Sequence, residues 1–367
     1  MLHNDARIVL TLDAGGTNFV FSAIQRFREV VRPVLLPSNA YNLDKCLKTI
    51  VEGFSSVKNQ LAEEPAAISF AFPGPADYEN GIIGDLPNLS SFRGGIALGP
   101  YLKEKLGIPV FINNDGNLFA YGEALAGALP EINRQLLQEG SSIRYKNLLA
   151  VTLGTGFGGG VVINNDILLI GDNGCGGDVW CTANKYDNQL IVEESVSIRA
   201  VQRSYANYSG DPEKLQPKEI FEIAEGRKPG NREAAIKSFE ELGAAAGFTI
   251  AEALNIVDGI VVIGGGIAHA HKYILPAMVA EMNGSRQMKT GEKFLRVQMK
   301  VFNLMDEDQH AAFLKDESTE VTILGTDNKV SYHSSKKTGV TVSNLGTSRA
   351  VALGAYAFAL HKLQTSS

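Results

Sequence analysis

Ile8 to Gln25 reads IVLTLDAGGTNFVFSAIQ, and Leu148 to Leu168 reads LLAVTLGTGFGGGVVINNDIL. In each, a β-rich run meets a glycine turn and a second β-rich run follows, as a hairpin requires. The two copies start 140 residues apart. Two glycine-turn hairpins, each opening a half of the chain, predict duplicated lobes facing one cleft. Two unrelated hairpins are the alternative on this feature alone.

Alternating elements lie between and beyond them. Ala67 to Phe72 is a short apolar strand ending in FPGPAD, and Val110 to Ile112 another ending in NNDGN. The spacing predicts a helix from about Leu118 to Leu129. A longer helix runs over Glu233 to Asn255, where Ile236, Phe239, Gly243, Ala246, Ile250 and Ala253 recur at helical intervals. It feeds the buried strand GIVVIGGG. Strand-like runs (FLRVQMKVF, EVTIL, KVSYH, GVTVS) fill Phe294 to Ser343, and a last helix covers about Ser348 to Lys362. Strands alternating with helices indicate an α/β architecture.

The 367 residues exceed one typical core, which suggests two lobes. Hydrophobic residues make up 44% and charged ones 20%, an ordinary globular mix. A net charge of -6 argues against a nucleic-acid grip, which needs a basic face to neutralise phosphates. The longest apolar runs, such as Ile260 to Ile263, fall far short of the roughly 20 residues that span a bilayer. The start, MLHNDARIVL, lacks the features of a secretory signal, so a cytoplasmic protein is expected. Cys46, Cys175 and Cys181 offer no disulfide framework. No histidine lies between residues 4 and 268, which excludes a histidine-rich metal site there.

Three glycine segments could hold a nucleotide. In Asp13-Ala14-Gly15-Gly16-Thr17-Asn18, glycines let backbone approach a phosphate, exposed N–H groups can cradle it, and Thr17 adds a hydroxyl. Asp13 can hold Mg²⁺ directly or through water. Gly154-Thr155-Gly156-Phe157-Gly158-Gly159-Gly160 carries five glycines in seven residues, with ATP phosphates the natural partner. It is neither a Walker A loop nor a G-x-G-x-x-G opening a helix. Gly264-Gly265-Gly266 follows a buried strand, where ligands of open α/β sheets gather, and suits the adenosine end. Plain turns remain the alternative at each segment.

Asn113-Asn114-Asp115 ends a strand ahead of a helix. A helix N-cap accounts for these residue types. The functional reading aims Asp115 into the cleft, to accept a substrate hydroxyl proton. Phosphoryl transfer relies chiefly on positioning and charge stabilisation, so an ordinary Asp can serve. Both hold if an Asn caps while Asp115 works. Pro87-Asn88-Leu89 lies in a polar loop, and Glu193-Glu194-Ser195 is expected to begin a helix.

Taken together, DAGGTN, FPGPAD, PNL, INNDGNLFAYGEALAG, VTLGTGFGGGVV, SVSIRAV and VIGGGIA, in that order, resemble the ROK family. That family contains bacterial glucokinases and related hexose and N-acetylhexosamine kinases. The resemblance covers most of residues 8 to 270, with a terminal match at LGAYAFAL. It implies an actin-like ATPase (ribonuclease H-like) fold with two lobes around a central cleft. Residues 1–115 and about 344–367 would form the small lobe, and 116–343 the large one. It also implies ATP with Mg²⁺ and a sugar between the lobes, and a homodimer is expected. By the same matching, Asp13, Gly15, Gly16 and Thr17 belong to the first phosphate loop, and Thr155 and Gly156 to the second. Asn88, Asn114 and Glu193 match sugar contacts, and Asp115 matches the catalytic base.

Two positions depart from the family. Its G-E-x-G-H stands here as Gly177-Asp178-Val179-Trp180-Cys181, so a sugar-binding Glu becomes Asp178 and a His that binds sugar and zinc becomes Cys181. The cysteine cluster that holds zinc in many members is replaced by TANKYDNQL. Structural zinc needs about four soft or imidazole ligands, so none is expected. Glucose is the default substrate, with N-acetylhexosamines, mannose and fructose open. A sugar-sensing ROK regulator would need a helix-turn-helix ahead of Ile8, where only seven residues stand. A sugar-binding protein without turnover is the third reading.

Overall fold

The computed structural model describes residues 2–86 and 91–365. Strands β1 (Val9–Ala14) and β2 (Asn18–Gln25) pair antiparallel, Val9 opposite Ile24 through Ala14 opposite Phe19, leaving residues 15–17 as the turn. β3 (Arg28–Glu29) and β4 (Val34–Pro37) both pair with β2. After helix α1 (Leu43–Lys58), β5 (Ala67–Ala71) joins parallel to β1. A small hairpin of β6 (Ala76–Asp77) and β7 (Ile82–Ile83) and helix α2 (Leu98–Leu106) lead to β8 (Val110–Asn113), parallel to β5. The sheet order is β3-β2-β1-β5-β8.

Helices α3 (Asp115–Ala126) and α4 (Ala128–Gln138) carry the chain to a second hairpin, β9 (Leu148–Leu153) and β10 (Phe157–Ile163). Leu148 lies opposite Val162 and Leu153 opposite Phe157, so residues 154–156 form a turn of the same length as the first. β11 (Ile167–Leu168) extends this sheet at β10. Helices α5 (Ile198–Ser209), α6 (Pro217–Ala224) and α7 (Arg232–Val257) precede β12 (Ile260–Gly264), which is parallel to β9. Helix α8 (His271–Met282), the pair β13 (Ser285–Gln287) and β14 (Lys293–Leu295), and β15 (Lys300–Asn303) follow. Then come α9 (Glu307–Leu314), the hairpin β16 (Thr319–Thr322) and β17 (Lys329–Tyr332), β18 (Lys337–Val342) and α10 (Thr347–Thr365). The second sheet runs β11-β10-β9-β12-β18-β15. Each sheet is thus an antiparallel hairpin followed by parallel strands, the duplicated actin-like ATPase architecture.

Alternation along the strands stacks the layers, because successive side chains point to opposite faces. Ile260 and Val262 of β12 join an inner core with Leu118, Phe119, Tyr356 and Val9, while Val261 and Ile263 join an outer core with α7 and α8. Leu10 and Leu12 face a third core under α1 and α2. Helices α3 and α10 therefore lie between the two sheets. Glycine makes their crossing close: a Cβ on Gly122 or Gly354 would land on the partner backbone at Ala350 or Leu118. Tyr356 of α10 also reaches the first sheet, its hydroxyl accepting from Arg26 N at 2.9 Å and donating to Asp5 O at 3.2 Å.

The helix expected over 118–129 starts three residues earlier and breaks at Gly127, where Glu123 Oε2 accepts the Ala128 N–H at 2.8 Å. The segment 290–343 supplies β15 and β18 and the separate hairpin β16–β17. Among the described residues no helix is long and apolar enough to cross a membrane.

Candidate active site at the head of a helix

β8 delivers Asn113, and the chain turns at Asn114 (φ -69, ψ 147) into α3. The Asn114 side-chain oxygen accepts from Gly116 N at 2.7 Å and Asn117 N at 3.4 Å, capping the helix. Asn113 Oδ1 accepts from Asn114 N and from Asn117 Nδ2, fixing the cap from behind. With capping done by its neighbours, Asp115 stays open to water although protein surrounds it. That is the situation of a group on the floor of a cleft. Loss of bulk solvation raises its pKa, and the N–H groups of Gly116 and Asp115 itself only partly oppose this. A helix N-terminus favours the anion too, yet desolvation wins.

Glycine packing brings a second carboxylate to Asp115. A Cβ on Gly116 would lie 2.5 Å from Gly159 O, and one on Gly160 would lie 2.5 Å from Gly116 O. Gly177 (φ +84), in a turn after β11, packs against Gly160 of β10, and its carbonyl fills the space beside Gly159. Asp178 follows directly. It is half-buried, and its pKa is raised by desolvation and by the Asp115 charge, while the Trp180 side chain donates to it and works the other way. The expectation that the whole run 154–160 faces phosphate therefore needs correcting. Gly158, Gly159 and Gly160 lie inside β10, where Gly159 and Gly160 admit α3 and residues 177–179; residues 154–156 form the turn.

Glu193 sits beside that turn. Its Oε2 accepts the Phe157 N–H at 3.0 Å, its Oε1 pairs with Arg199 at 3.1 Å, and its own N–H donates to Trp180 O at 3.3 Å. Glu193 does not open a regular helix, as the sequence suggested. Val192–Glu194 is a single 3-10 turn, because Ser197 Oγ and the Ser195 N–H take the local carbonyls before α5 starts at Ile198. Cys181 is exposed. The TANKYDNQL loop is organised by buried Asn184, which donates to Ile191 O at 3.1 Å and Ser195 Oγ at 2.9 Å and accepts from Tyr186 N at 2.9 Å. Lys185 ties it to Glu281 at 2.5 Å.

Asp13 is exposed at the end of β1, with Gly15, Gly16, Thr17 and Asn18 also open to solvent. Ser38 holds this turn, its N–H on Thr17 O at 2.9 Å and its hydroxyl on Gly16 O at 2.7 Å. A Cβ on Gly16 would meet nothing within 4 Å, leaving room for a ligand against the backbone. Thr155 is exposed at the matching turn. Gly264 and Gly265 have close neighbours, the Phe119 ring and Leu153 O, whereas Gly266 opens on a cavity of about 370 Å³. Phe221, Phe239, Lys218, Arg227 and His269 line that cavity; the sequence marked Phe239 only as a helix-core position and none of the five as a site residue. Among the described residues no group of three or more His, Cys, Asp or Glu is placed to hold a metal. Mg²⁺ commonly takes one or two carboxylates plus waters and phosphates, so the lone exposed Asp13 fits that chemistry.

Tyr78 was also missed. Its hydroxyl donates to Phe72 O at 2.9 Å, while Phe72 N donates to Asn113 O at 3.0 Å. The Asn114 side chain bonds the same hydroxyl, and the charges of Asp115 and Asp178 join burial in raising its pKa. Tyr78 thus joins Asn114, Asp115 and Asp178 in one cluster. An aromatic among the acidic residues of FPGPADYE gave no pattern to read. Asn88 lies outside the described residues.

The profile of the ROK family matches residues 9–307. A crystal structure of a glucokinase from Parabacteroides distasonis is 60% identical, superposes with a TM-score of 0.88, and covers 98% of this chain and 99% of its own. The glucokinase of Thermotoga maritima is 27% identical over 304 residues, 74% of this chain and 89% of that one. An N-acetyl-D-glucosamine kinase of Photobacterium profundum is 28% identical over 276 residues, 70% and 83% of the two chains. With most of its length matched by the profile and a 60% identical relative spanning it end to end, the chain belongs to the ROK family.

Proposed function

We propose that the protein transfers the γ-phosphoryl group of ATP to a hexose hydroxyl, with glucose, giving glucose 6-phosphate, the preferred substrate. The observation that carries this is Asp115: a water-accessible carboxylate of raised basicity at the head of α3, in a chain 60% identical to a glucokinase. Asp115 takes the proton of the attacking hydroxyl as its oxygen bonds to phosphorus and the bond to the ADP oxygen breaks. Asn114, Asp178, Glu193 and Asn88 hold the sugar. Gly177 packs on Gly160, and Asp178, one methylene shorter than Glu, follows it directly.

Residues 13 and 15–18 and the turn at Thr155 and Gly156 receive the phosphates from the two hairpins. Gly264, Gly265 and Gly266 take the adenosine, with Phe221 and Phe239 offering apolar faces to the base. Mg²⁺, held at Asp13, neutralises charge on the phosphoryl group. The small lobe, residues 1–115 with 344–367, closes on the remainder when sugar binds, and the enzyme works as a cytoplasmic homodimer. N-acetylglucosamine is the second substrate reading, favoured by the Photobacterium relative. ADP release measured on purified protein with glucose, N-acetylglucosamine, mannose and fructose tests the assignment. Glucose should give the highest kcat/KM, and turnover confined to N-acetylglucosamine would transfer the assignment to it.

A further inference from the structure

Away from the cleft, a cavity of about 700 Å³ opens where the first sheet meets both inner helices. Four arginines line it from three parts of the fold: Arg26 and Arg28 in the β2–β3 hairpin, Arg134 on α4, and Arg349 in the first turn of α10. Among the described residues Glu131 is the one carboxylate in the lining, and it is already paired with Arg134 at 2.5 Å. Arg26, Arg28 and Arg349 have no side-chain ion pair among the described residues. A net charge of three positives thus gathers in one hollow of a chain whose overall charge is -6.

Two local features run against ordinary preference. Arg26 and Phe27 adopt φ of 51 and 60, a region that bulky side chains rarely occupy, and the Tyr356 hydroxyl holds the turn through Arg26 N. Arg349 lies at the positive end of the α10 dipole, with no acidic residue in that turn. An anion bound there would relieve the like-sign crowding and meet guanidinium forks suited to phosphate oxygens. Phe27 and Leu353 give the hollow an apolar side, and its volume falls in the range of small-molecule sites, roughly 300–1,000 Å³. Leu125 marks the far end of α3 from Asp115, roughly 15 Å away at 1.5 Å per helical residue.

We propose that this cavity is a second ligand site, separate from the catalytic cleft, that binds a small phosphorylated molecule through Arg26, Arg28 and Arg349. The test is calorimetric titration of protein whose cleft is first filled with glucose and a non-hydrolysable ATP analogue. The probes are fructose 1,6-bisphosphate, a phosphate ester on an organic body, and inorganic pyrophosphate, which has none. Wild type should bind at least one probe with a Kd below roughly 1 mM. Arg28→Glu with Arg349→Glu should weaken that binding by about tenfold or more, and the milder Arg28→Gln with Arg349→Gln pair by less. Both pairs should keep wild-type kinase turnover, which also reports that they fold. The tighter probe identifies the source of the phosphate. The proposal is overturned if neither probe binds in that range, or if both arginine pairs bind as wild type does.

Discussion

Gly116 and Gly159 meet backbone to backbone, with the place of a Gly116 Cβ only 2.5 Å from the Gly159 carbonyl oxygen. This contact seats the head of α3 on the glycine strand and so places Asp115 beside Asp178. Gly116→Ala must push the helix off the strand, at a cost of about 1–3 kcal/mol for overpacking. The melting temperature should fall and kcat should fall with it, while Gly16→Ala, which meets nothing within 4 Å, leaves the melting temperature unchanged. Equal melting of Gly116→Ala and wild type would show that the contact does not constrain the helix.

The two carboxylates make activity and stability respond oppositely. Asp115 has a raised pKa, so the folded state binds its proton more readily than the unfolded chain does. Its destabilising effect is absent below the unfolded value of about 3.9 and sets in as pH rises through the folded pKa. Asp115→Asn should therefore melt higher than wild type at pH 7, with the difference vanishing in acid. In wild type, kcat/KM should fall as pH is lowered through the Asp115 pKa. The Asp115 charge is one of the causes that raise the Asp178 pKa, so Asp115→Asn should lower the pKa of Asp178, followed by carbon-13 NMR of its carboxyl. An Asp178 pKa that stays in place would disprove the coupling.

Glu193 supports a turn as well as a pocket. Glu193→Ala removes the carboxylate that accepts the Phe157 N–H and leaves Arg199 paired with Glu194 alone, so KM for both ATP and glucose should rise, by roughly tenfold. Cys181→Ser, at an exposed position, should change either KM by less than about twofold. A rise confined to the sugar would limit Glu193 to the pocket.

The loop 182–190 stands on hydrogen bonds. Asn184→Ala leaves the Tyr186 N–H and the Ser195 hydroxyl without their partner and should cost about 1–3 kcal/mol, read by denaturant unfolding. EDTA should not move the melting temperature, and elemental analysis should find no stoichiometric zinc. About one zinc per chain, lost together with stability in EDTA, would reverse this.

The duplicated hairpins were legible because glycine turns between β-rich runs leave a strong local pattern, and Ile260 to Ile263 declared a strand buried on both faces. Asp115 was legible through its place after a strand. Other features arise only from tertiary contact. Gly158, Gly159 and Gly160 look like a flexible loop in sequence, and only the approach of α3 and Gly177 reveals them as packing surfaces. Tyr78 joins Asn114 through folding, with no spacing rule to announce it. The break at Gly127 depends on a single side chain, Glu123, taking the Ala128 N–H.

Phosphorus NMR of the complete reaction tests the central claim most directly. Wild type with ATP and glucose should produce the glucose 6-phosphate resonance alongside ADP. Asp115→Asn should bind ATP as wild type does by calorimetry, yet form that resonance roughly 10²–10⁴-fold more slowly, the usual contribution of a general base. Product formation by Asp115→Asn at the wild-type rate would contradict the account.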